Sequence, residues 1–564
     1  MTKIQFRVLY REFLFRVVDL ELLAPQGDIA KLLGQFAAVL LFLSVNLSVR
    51  AMFVGASNLP AQMLRTILWE RENTLIATTM LAVGIFAVLS WDSAFLNRRD
   101  VMVLAPLPVR SGTLFFAKIA ALATALSLTI LALNALTGLA WPIVFAGANS
   151  GFGDVIRSLA AYWTTMAAAG VFILCGVLGL HGLAAQLPRR RYLRVSAVLQ
   201  MAAFSVFLSV YLLQPAPLSV KVLGQLESRH LLEWLPTYWF FGLFQVLNGS
   251  VPIEAQTTIV SLARRAELGL AITGLTAGVA FLLSYFRTLR KIVEEPDIVP
   301  GAGGIHWLPR FGNSVTTAIV HFSIRTLMRS RQHRVILAFY LGVGFAIVIL
   351  FLQAPAPRQQ ALSASVSLPG LLASVLMLAC SVAGARMVFA MPLELKANWI
   401  FRVMPLPGPR RLSNAIRRSL LVLSVVPVWV ASAGALFWIW PWRIAAGHLI
   451  ALALFGSVLA DVSLRGFQKI PFTCSYLPGA GYKGFLTVWS TLFITVTAVG
   501  YERRAVDSLL GYALMIAILC VAVVCVRRWS VTRANSPEAA LLFEEAETPA
   551  IFALDLHRDG RMSA

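Results

Sequence analysis

DSAFLNRRDVMVLAPLPVRSGTLFFAK, residues 92–118, is the stretch on which the reading of this chain turns. It is charged and broken by prolines, and it lies between two long apolar runs. Pro106-Leu107-Pro108 returns as Pro405-Leu406-Pro407, and Lys118 returns as Arg417 at the same offset. An arginine follows each copy closely, Arg110 in the first and Arg410 with Arg411 in the second, and a membrane-length apolar run comes next. Proline fixes φ and removes an amide donor, so each P-L-P stops a helix and leaves a short exposed turn leading into a span. A repeated loop of this kind points to a duplicated membrane machine.

Composition supports a membrane setting. The 564 residues are 58% hydrophobic and only 13% charged, with a mean hydropathy of +0.77. Soluble domains carry about 25% charged residues, so too little polar surface remains here to cover a single giant core. Apolar runs of about 20 residues recur along the chain, as a polytopic membrane protein requires. The net charge of +22 would raise nucleic-acid binding in a soluble chain. In this one it follows from Lys and Arg gathering in cytoplasmic loops that face anionic lipid, and no nucleic-acid-binding signature accompanies the basic clusters. The five cysteines show no CxxC or metal-ligand spacing, so neither a disulfide framework nor a metal site is expected. The N-terminus has no secretory signal pattern.

Taken in order, residues 3–24 form an amphipathic lead-in. Lys3, Arg7 and Arg11 share one helix face and Arg16 lies further along, while Phe6, Leu9, Phe13 and Val17 lie elsewhere, as in a helix resting in the membrane interface. Spans are expected at 33–52, 73–91, 119–141, 159–186, 195–213, 268–286, 335–353, 367–390, 419–440, 445–464, 484–500 and 508–526. With the N-terminus inside, most Lys and Arg residues fall in cytoplasmic segments, which places both termini in the cytoplasm. A Pro/Gly-rich linker, EEPDIVPGAGG, precedes a second basic amphipathic lead-in that carries Arg325 and Arg329. The expected organisation is a first six-span half (1–290), a linker with the second lead-in (291–334), a second six-span half (335–528) and a polar tail (529–564). The fold class is all-α: a polytopic membrane protein of about twelve transmembrane helices in two six-helix halves, with interfacial amphipathic helices.

The outer segment 214–266 carries Trp234, Tyr238, Trp239, Phe240 and Phe241, which suit the membrane interface, and part of it is a candidate re-entrant hairpin. In the matching place the second half has only YERRAVDS, 501–508. Asn248-Gly249-Ser250 matches a glycosylation sequon, a pattern short enough to arise by chance. Gly176, Gly179 and Gly182 are expected to let helices approach closely.

For any single arginine beside a P-L-P turn, ordinary charge bias is explanation enough. The repeated constellation favours a docking knob on which Arg98, Arg99, Arg110, Arg410 and Arg411 meet acidic groups of a soluble partner. Within the spans one carboxylate stands out, Asp461, and an ion pair with Arg465 one turn on is the expected use of it. Arg386 is expected to reach the cytoplasmic face. His181 and His448 read as packed or hydrogen-bonded. No HExxH, GxSxG or pair of outer-face acids is present, and Glu70 and Glu72 are the only acids of the first outer loop. The chain is therefore not expected to be an enzyme, and no catalytic or metal-binding residue is assigned.

The first loop resembles the cytoplasmic loop between the second and third spans of ABC-2 type exporter permeases, where an LP-containing turn precedes a lysine at the start of the next span. LYREFLFRVVDLELL resembles that family's interfacial elbow helix, and WLPTYWFFGLFQVLNG its extracellular aromatic segment. In the second half PLELKANWIFRVMPLPGPRR carries the likeness, with an altered PLPGPR turn. The resemblance implies a multi-pass permease of the cytoplasmic (inner) membrane whose coupling loops dock on separate ATPase subunits. On this chain those loops are Asp92, Arg98, Arg99, Asp100, Pro106, Leu107, Pro108, Arg110 and Lys118, then Pro405, Leu406, Pro407, Arg410, Arg411 and Arg417. No P-loop spacing occurs, and GAGYKG at 479–484 does not meet it. ATP and Mg are therefore expected on the partner, with no cofactor in this chain. Two ATPase subunits per chain follow from the duplication, and a homodimer of this chain is the other arrangement. The alternative function is a twelve-span, ion-coupled secondary transporter, whose mark would be a working intramembrane carboxylate.

Overall fold

The computed structural model describes residues 3–18, 29–55, 60–91, 111–147, 151–212, 233–294, 309–353, 368–393, 408–465, 467, 469–473, 497–504 and 509–534. It is 90% helical, and no strand occurs among the described residues. Seven helices are long and apolar enough to cross a membrane: Gln62–Leu89, Gly112–Asn134, Phe152–Ala185, Pro369–Phe389, Arg410–Ile439, Trp442–Ser463 and Leu510–Thr532. Four shorter apolar helices accompany them: Leu40–Ala51, Thr137–Ala146, Val198–Leu212 and His333–Ile349. The expected span at 484–500 lies almost wholly outside the described residues, as do the linker before Pro309 and the tail after Ala534.

The chain divides into two compact units. The first comprises Met1–His306 with Arg334–Cys380, and the second comprises Trp307–His333 with Ser381–Ala564. Residues 334–380, expected to open the second half, thus group with the first unit.

The first unit contains α1 (Lys3–Val18), α2 (Ile29–Gly55), α3 (Ala61–Leu89), α4 (Ser111–Asn134), α5 (Thr137–Ala146), α6 (Phe152–Ala185), α7 (Arg189–Leu212), α8 (Pro236–Asn248) and α9 (Gln256–Glu294). Most of α11 (Arg331–Gln353) and the first half of α12 (Leu368–Phe389) also belong to it. Its core gathers Trp69, Ile76, Val83 and Trp91 of α3, Tyr162 and Met166 of α6, and Tyr238, Phe240, Phe241 and Phe244 of α8. The aromatics at 238–241 were expected at the membrane interface. Tyr238, Phe240 and Phe241 are instead 1%, 0% and 0% exposed, because α8 packs between α3, α6 and α9. Of the two tryptophans of that segment, Trp239 is half-buried and only Trp234 stands exposed.

The expected span at 119–141 is two helices. The chain breaks after Asn134, and Ser44 of α2 closes the break: its Oγ accepts from the amides of Leu136 (3.0 Å) and Thr137 (3.3 Å). These are donors that a helix start leaves without intrahelical partners. Of the three α6 glycines, one serves close approach. A Cβ on Gly182 would lie 2.7 Å from Ala280 Cβ, a Cβ on Gly179 would meet Thr276 and Ala277 at ordinary van der Waals distance, and Gly176 faces open space. Contact between α6 and α9 therefore depends on the absent side chain at 182.

The second unit contains α10 (Ser314–Arg329), the end of α12, α13 (Pro409–Leu420), α14 (Val426–Ile439), α15 (Trp442–Ser463), the helical residues 497–504 and α16 (Leu509–Ala534). A π turn, Leu421–Val425, joins α13 to α14. It stands just ahead of Pro427, which cannot donate to the ladder. Ser381 Oγ donates to the Ser424 carbonyl in this turn at 3.0 Å.

Candidate functional site: lead-in helices, post-turn helices and buried acids

Each unit contains the same pairing. In the first, the lead-in helix α1 lies along α4, the helix that follows the first P-L-P sequence. Leu9 and Phe13 pack against Leu114, Ala117 and Ala121, and the Tyr10 hydroxyl donates to Thr124 Oγ1 at 3.0 Å. In the second, the lead-in helix α10 lies against α13, the helix that follows the second P-L-P sequence. Asn313 caps α10 by accepting from the Thr316 amide at 2.9 Å, a bond that fixes where the helix starts. The lead-in cations Arg7, Arg11, Arg325 and Arg329 are exposed, as amphipathic helices require. The side chain of Arg16 lies outside the described residues.

Of the docking residues expected from sequence, Asp92, Arg98, Arg99, Asp100, Pro106, Leu107, Pro108, Arg110, Pro405, Leu406 and Pro407 lie outside the described residues. The other four are placed. Arg410 and Arg411 stand exposed in the first turn of α13. They are helical, so the basic cluster is continuous with the span that follows it. Lys118 is only 3% exposed, with its Nζ 4.7 Å from the centroid of the Phe13 ring. Arg417 turns to Asp461, its Nε donating to Oδ1 at 2.7 Å. The two residues at matched offsets are both anchored, Lys118 beneath an aromatic ring and Arg417 on a carboxylate.

The expected Asp461–Arg465 pair is not formed. Asp461 Oδ1 also accepts from Arg527 at 3.4 Å, and Arg527 hydrogen-bonds Asn414 as well. Arg465 instead stacks its guanidinium over Trp529 at 4.2 Å. Helical spacing makes an i,i+4 pair available, but α13 and α16 bring two arginines to Asp461 where the residue is 4% exposed. A buried carboxylate without a counter-charge is costly, and α13 and α16 supply two arginines that reach it. Arg386 donates to the Ser463 carbonyl at 2.9 Å and lies over Phe467 at 4.3 Å. It ties the end of α12 to the end of α15.

Two further acids were hidden from sequence by their placement in presumed outer loops. Glu72 is on α3, 2% exposed, and its Oε2 accepts from Gln245 Nε2 at 2.6 Å. Glu502 is fully buried, its Oε1 lying 2.9 Å from His448 Nδ1 and accepting from the Tyr512 hydroxyl at 3.4 Å. The only available signal for Glu72 was the run of apolar residues upstream of it, Met63, Leu64, Ile67, Leu68 and Trp69: the span was read as starting at 73, whereas the helix starts twelve residues earlier, at Ala61. Next to Glu72 on the chain, Asn73 bonds Tyr238, and burial outweighs that bond to push the Tyr238 phenol above its ordinary pKa. His181 is packed as expected, stacked on Trp91 with Nε2 2.9 Å from the Tyr192 hydroxyl. The Asn248-Gly249-Ser250 sequon forms a helix end: Gly249 adopts φ +72°, Asn248 donates to Ser250 at 3.2 Å, and the Arg157 guanidinium packs against the glycine. Among the described residues no group of three His, Cys, Asp or Glu side chains is arranged to hold a metal.

The fold defines an all-α, multi-pass membrane protein. No family model, curated protein or solved structure matches the chain.

Proposed function

We propose that this chain is the membrane-spanning permease of an ATP-binding-cassette exporter, with two six-span halves, driven by separate ATPase subunits that dock on its two P-L-P loops at the cytoplasmic face. The observation that carries this reading is the repeated pairing of lead-in helix and post-turn helix. Twice, an amphipathic helix lies along the first turns of the helix that a basic P-L-P turn feeds. A push on such a turn acts at once on an interfacial helix and on a span. Lys118 and Arg417 fix the second helix to its surroundings, so the displacement is passed on as a rigid-body shift rather than absorbed in side chains. The exposed Arg410 and Arg411 supply charge for an acidic partner surface, and the absence of a P-loop in this chain assigns ATP and Mg to that partner.

The test is co-purification of an ATPase with the tagged full-length chain from its native membrane. Reversal of Arg98, Arg99, Arg110, Arg410 and Arg411 to glutamate is expected to abolish it. Retention of the ATPase by the reversed chain would remove the docking assignment.

A second reading, an ion-coupled carrier, gains support from the buried Glu72 and Glu502. The sequence alone offered only Asp461 for such a role, and Asp461 is occupied by two arginines. A carrier of this kind would move cargo on an ion gradient without nucleotide.

A further inference from the structure

Three acidic side chains are buried in the described part of the chain, and they differ in what faces them. Asp461 faces Arg417 and Arg527, and Glu502 faces His448. Among the described residues no cation comes within ion-pair distance of Glu72.

The surroundings of Glu72 are built in successive layers between α3 and α8. Trp69 and Phe241 meet edge to face at 5.6 Å. One turn further along α8, Gln245 Nε2 donates to Glu72 Oε2 at 2.6 Å. Gln245 is itself oriented, because its Oε1 accepts from Ser250 Oγ at 2.7 Å, which leaves the amide N–H to face the acid. The second carboxyl oxygen, Oε1, is buried and has no hydrogen-bond partner among the described residues.

An ionised carboxylate here would lose its hydration with no counter-charge to replace it, a large cost. One donated hydrogen bond returns only part of that cost. The charged form is therefore underpaid, whereas a neutral acid needs no counter-ion. The other titratable and charged groups on the packed elements do not change this balance. On α8, Tyr238 is bonded with Asn73. On α6, Arg157 is exposed and donates to the Leu247 carbonyl at 2.9 Å, and Tyr162 donates to Asn134 at 2.7 Å. On α7, Tyr211 lies at Thr78. On α4, Lys118 sits far along the helix beside Phe13. On α3 itself, Arg65 and Glu70 are exposed and Arg71 half-buried, and none of them lies within ion-pair distance of Glu72.

We propose that Glu72 is a proton-binding site of the first unit. Its carboxyl carries a proton on Oε1 while α3 and α8 are packed as described. When the Gln245 contact opens, the O–H bond breaks, the electron pair stays on the carboxylate and the proton passes to water. The inference rests on the burial and partners of Glu72 alone, so it stands or falls independently of ATPase docking.

The test is infrared spectroscopy of the purified full-length protein in lipid nanodiscs at mildly alkaline pH, where exposed carboxyls are ionised. The wild type is expected to show a carboxylic-acid carbonyl band that is absent from Glu72→Gln. Gln245→Leu removes the donor to Oε2 and is expected to move that band to higher frequency. The same band in Glu72→Gln as in the wild type overturns the proposal. Should Glu72→Gln fail to fold, a band that stays in place in Gln245→Leu, or a wild type with no such band, overturns it equally. In a parallel measurement, the wild-type unfolding midpoint is expected to fall relative to that of Glu72→Gln as pH is raised from mildly acidic to mildly alkaline. Equal pH slopes in the two proteins would contradict the proposal.

Discussion

α1 on α4 and α10 on α13 are the same device assembled with different chemistry. In the first unit the basic residue twelve positions after the turn's first proline, Lys118, is covered by Phe13 of the lead-in helix. In the second, Arg417 occupies the same offset and turns away from its lead-in helix to Asp461 on α15. One anchor is an aromatic face on the lead-in helix, and the other is a carboxylate on a span. A repeated sequence motif can thus keep the packing of a lead-in helix on the helix that follows it, while the fixing contact is replaced. The second anchor joins α13 to α15, with Arg527 of α16 on the same carboxylate, whereas the first joins α4 to α1.

This contrast can be broken most sharply at Asp461. Asp461→Ala leaves Arg417 and Arg527 facing each other without a carboxylate and is expected to destabilise the protein by about 3–5 kcal/mol, the range for breaking a buried pair. Unfolding in mixed micelles measures it, and the loss should shrink when Arg417→Met is added. Next in size, Phe13→Ala removes a fully buried ring and is expected to cost about 3 kcal/mol. It should also expose Lys118, so an amine-acylating reagent followed by mass spectrometry would find Lys118 protected in the wild type and labelled in the variant. Equal labelling would show that Phe13 is not the cover. Gly182→Val forces a side chain into Ala280 and is expected to cost about 1–3 kcal/mol by overpacking, while the same change at Gly176, which faces open space, should be near neutral. Smallest is Arg465→Met. With Arg465 over Trp529, its loss is worth about 0.5–1 kcal/mol, and it should leave the cost of Asp461→Ala unchanged. A strong coupling between the two would restore the i,i+4 pair.

Helical class and the placement of most apolar runs were legible because apolar length is a one-dimensional property. Helices cover the expected runs at 73–91, 159–186, 367–390, 445–464 and 508–526. The break after Asn134 was not legible, since the acceptor that closes it, Ser44, comes from another helix. Aromatic residues at 238–241 fit a membrane interface and a protein core equally well by composition, and only the packing of α8 between α3, α6 and α9 decides for the core. The acids show the same limit. Spacing offers Arg465 to Asp461, but three-dimensional packing offers Arg417 and Arg527. Glu72 and Glu502 were assigned to loops because each stands at the edge of an apolar run, where burial depends on neighbours far away in sequence. The offset that links Lys118 to Arg417 was visible in the sequence, but the contacts that anchor each of them were not.

The most direct test of the proposed energy source uses the purified chain in sealed lipid vesicles, with and without its co-purifying ATPase, assayed for cargo movement under ATP or under an imposed ion gradient. The account predicts movement only when ATPase and hydrolysable ATP are both present, and its loss when Arg410 and Arg411 are reversed to glutamate. Movement by the chain alone on an ion gradient, without nucleotide, would contradict it.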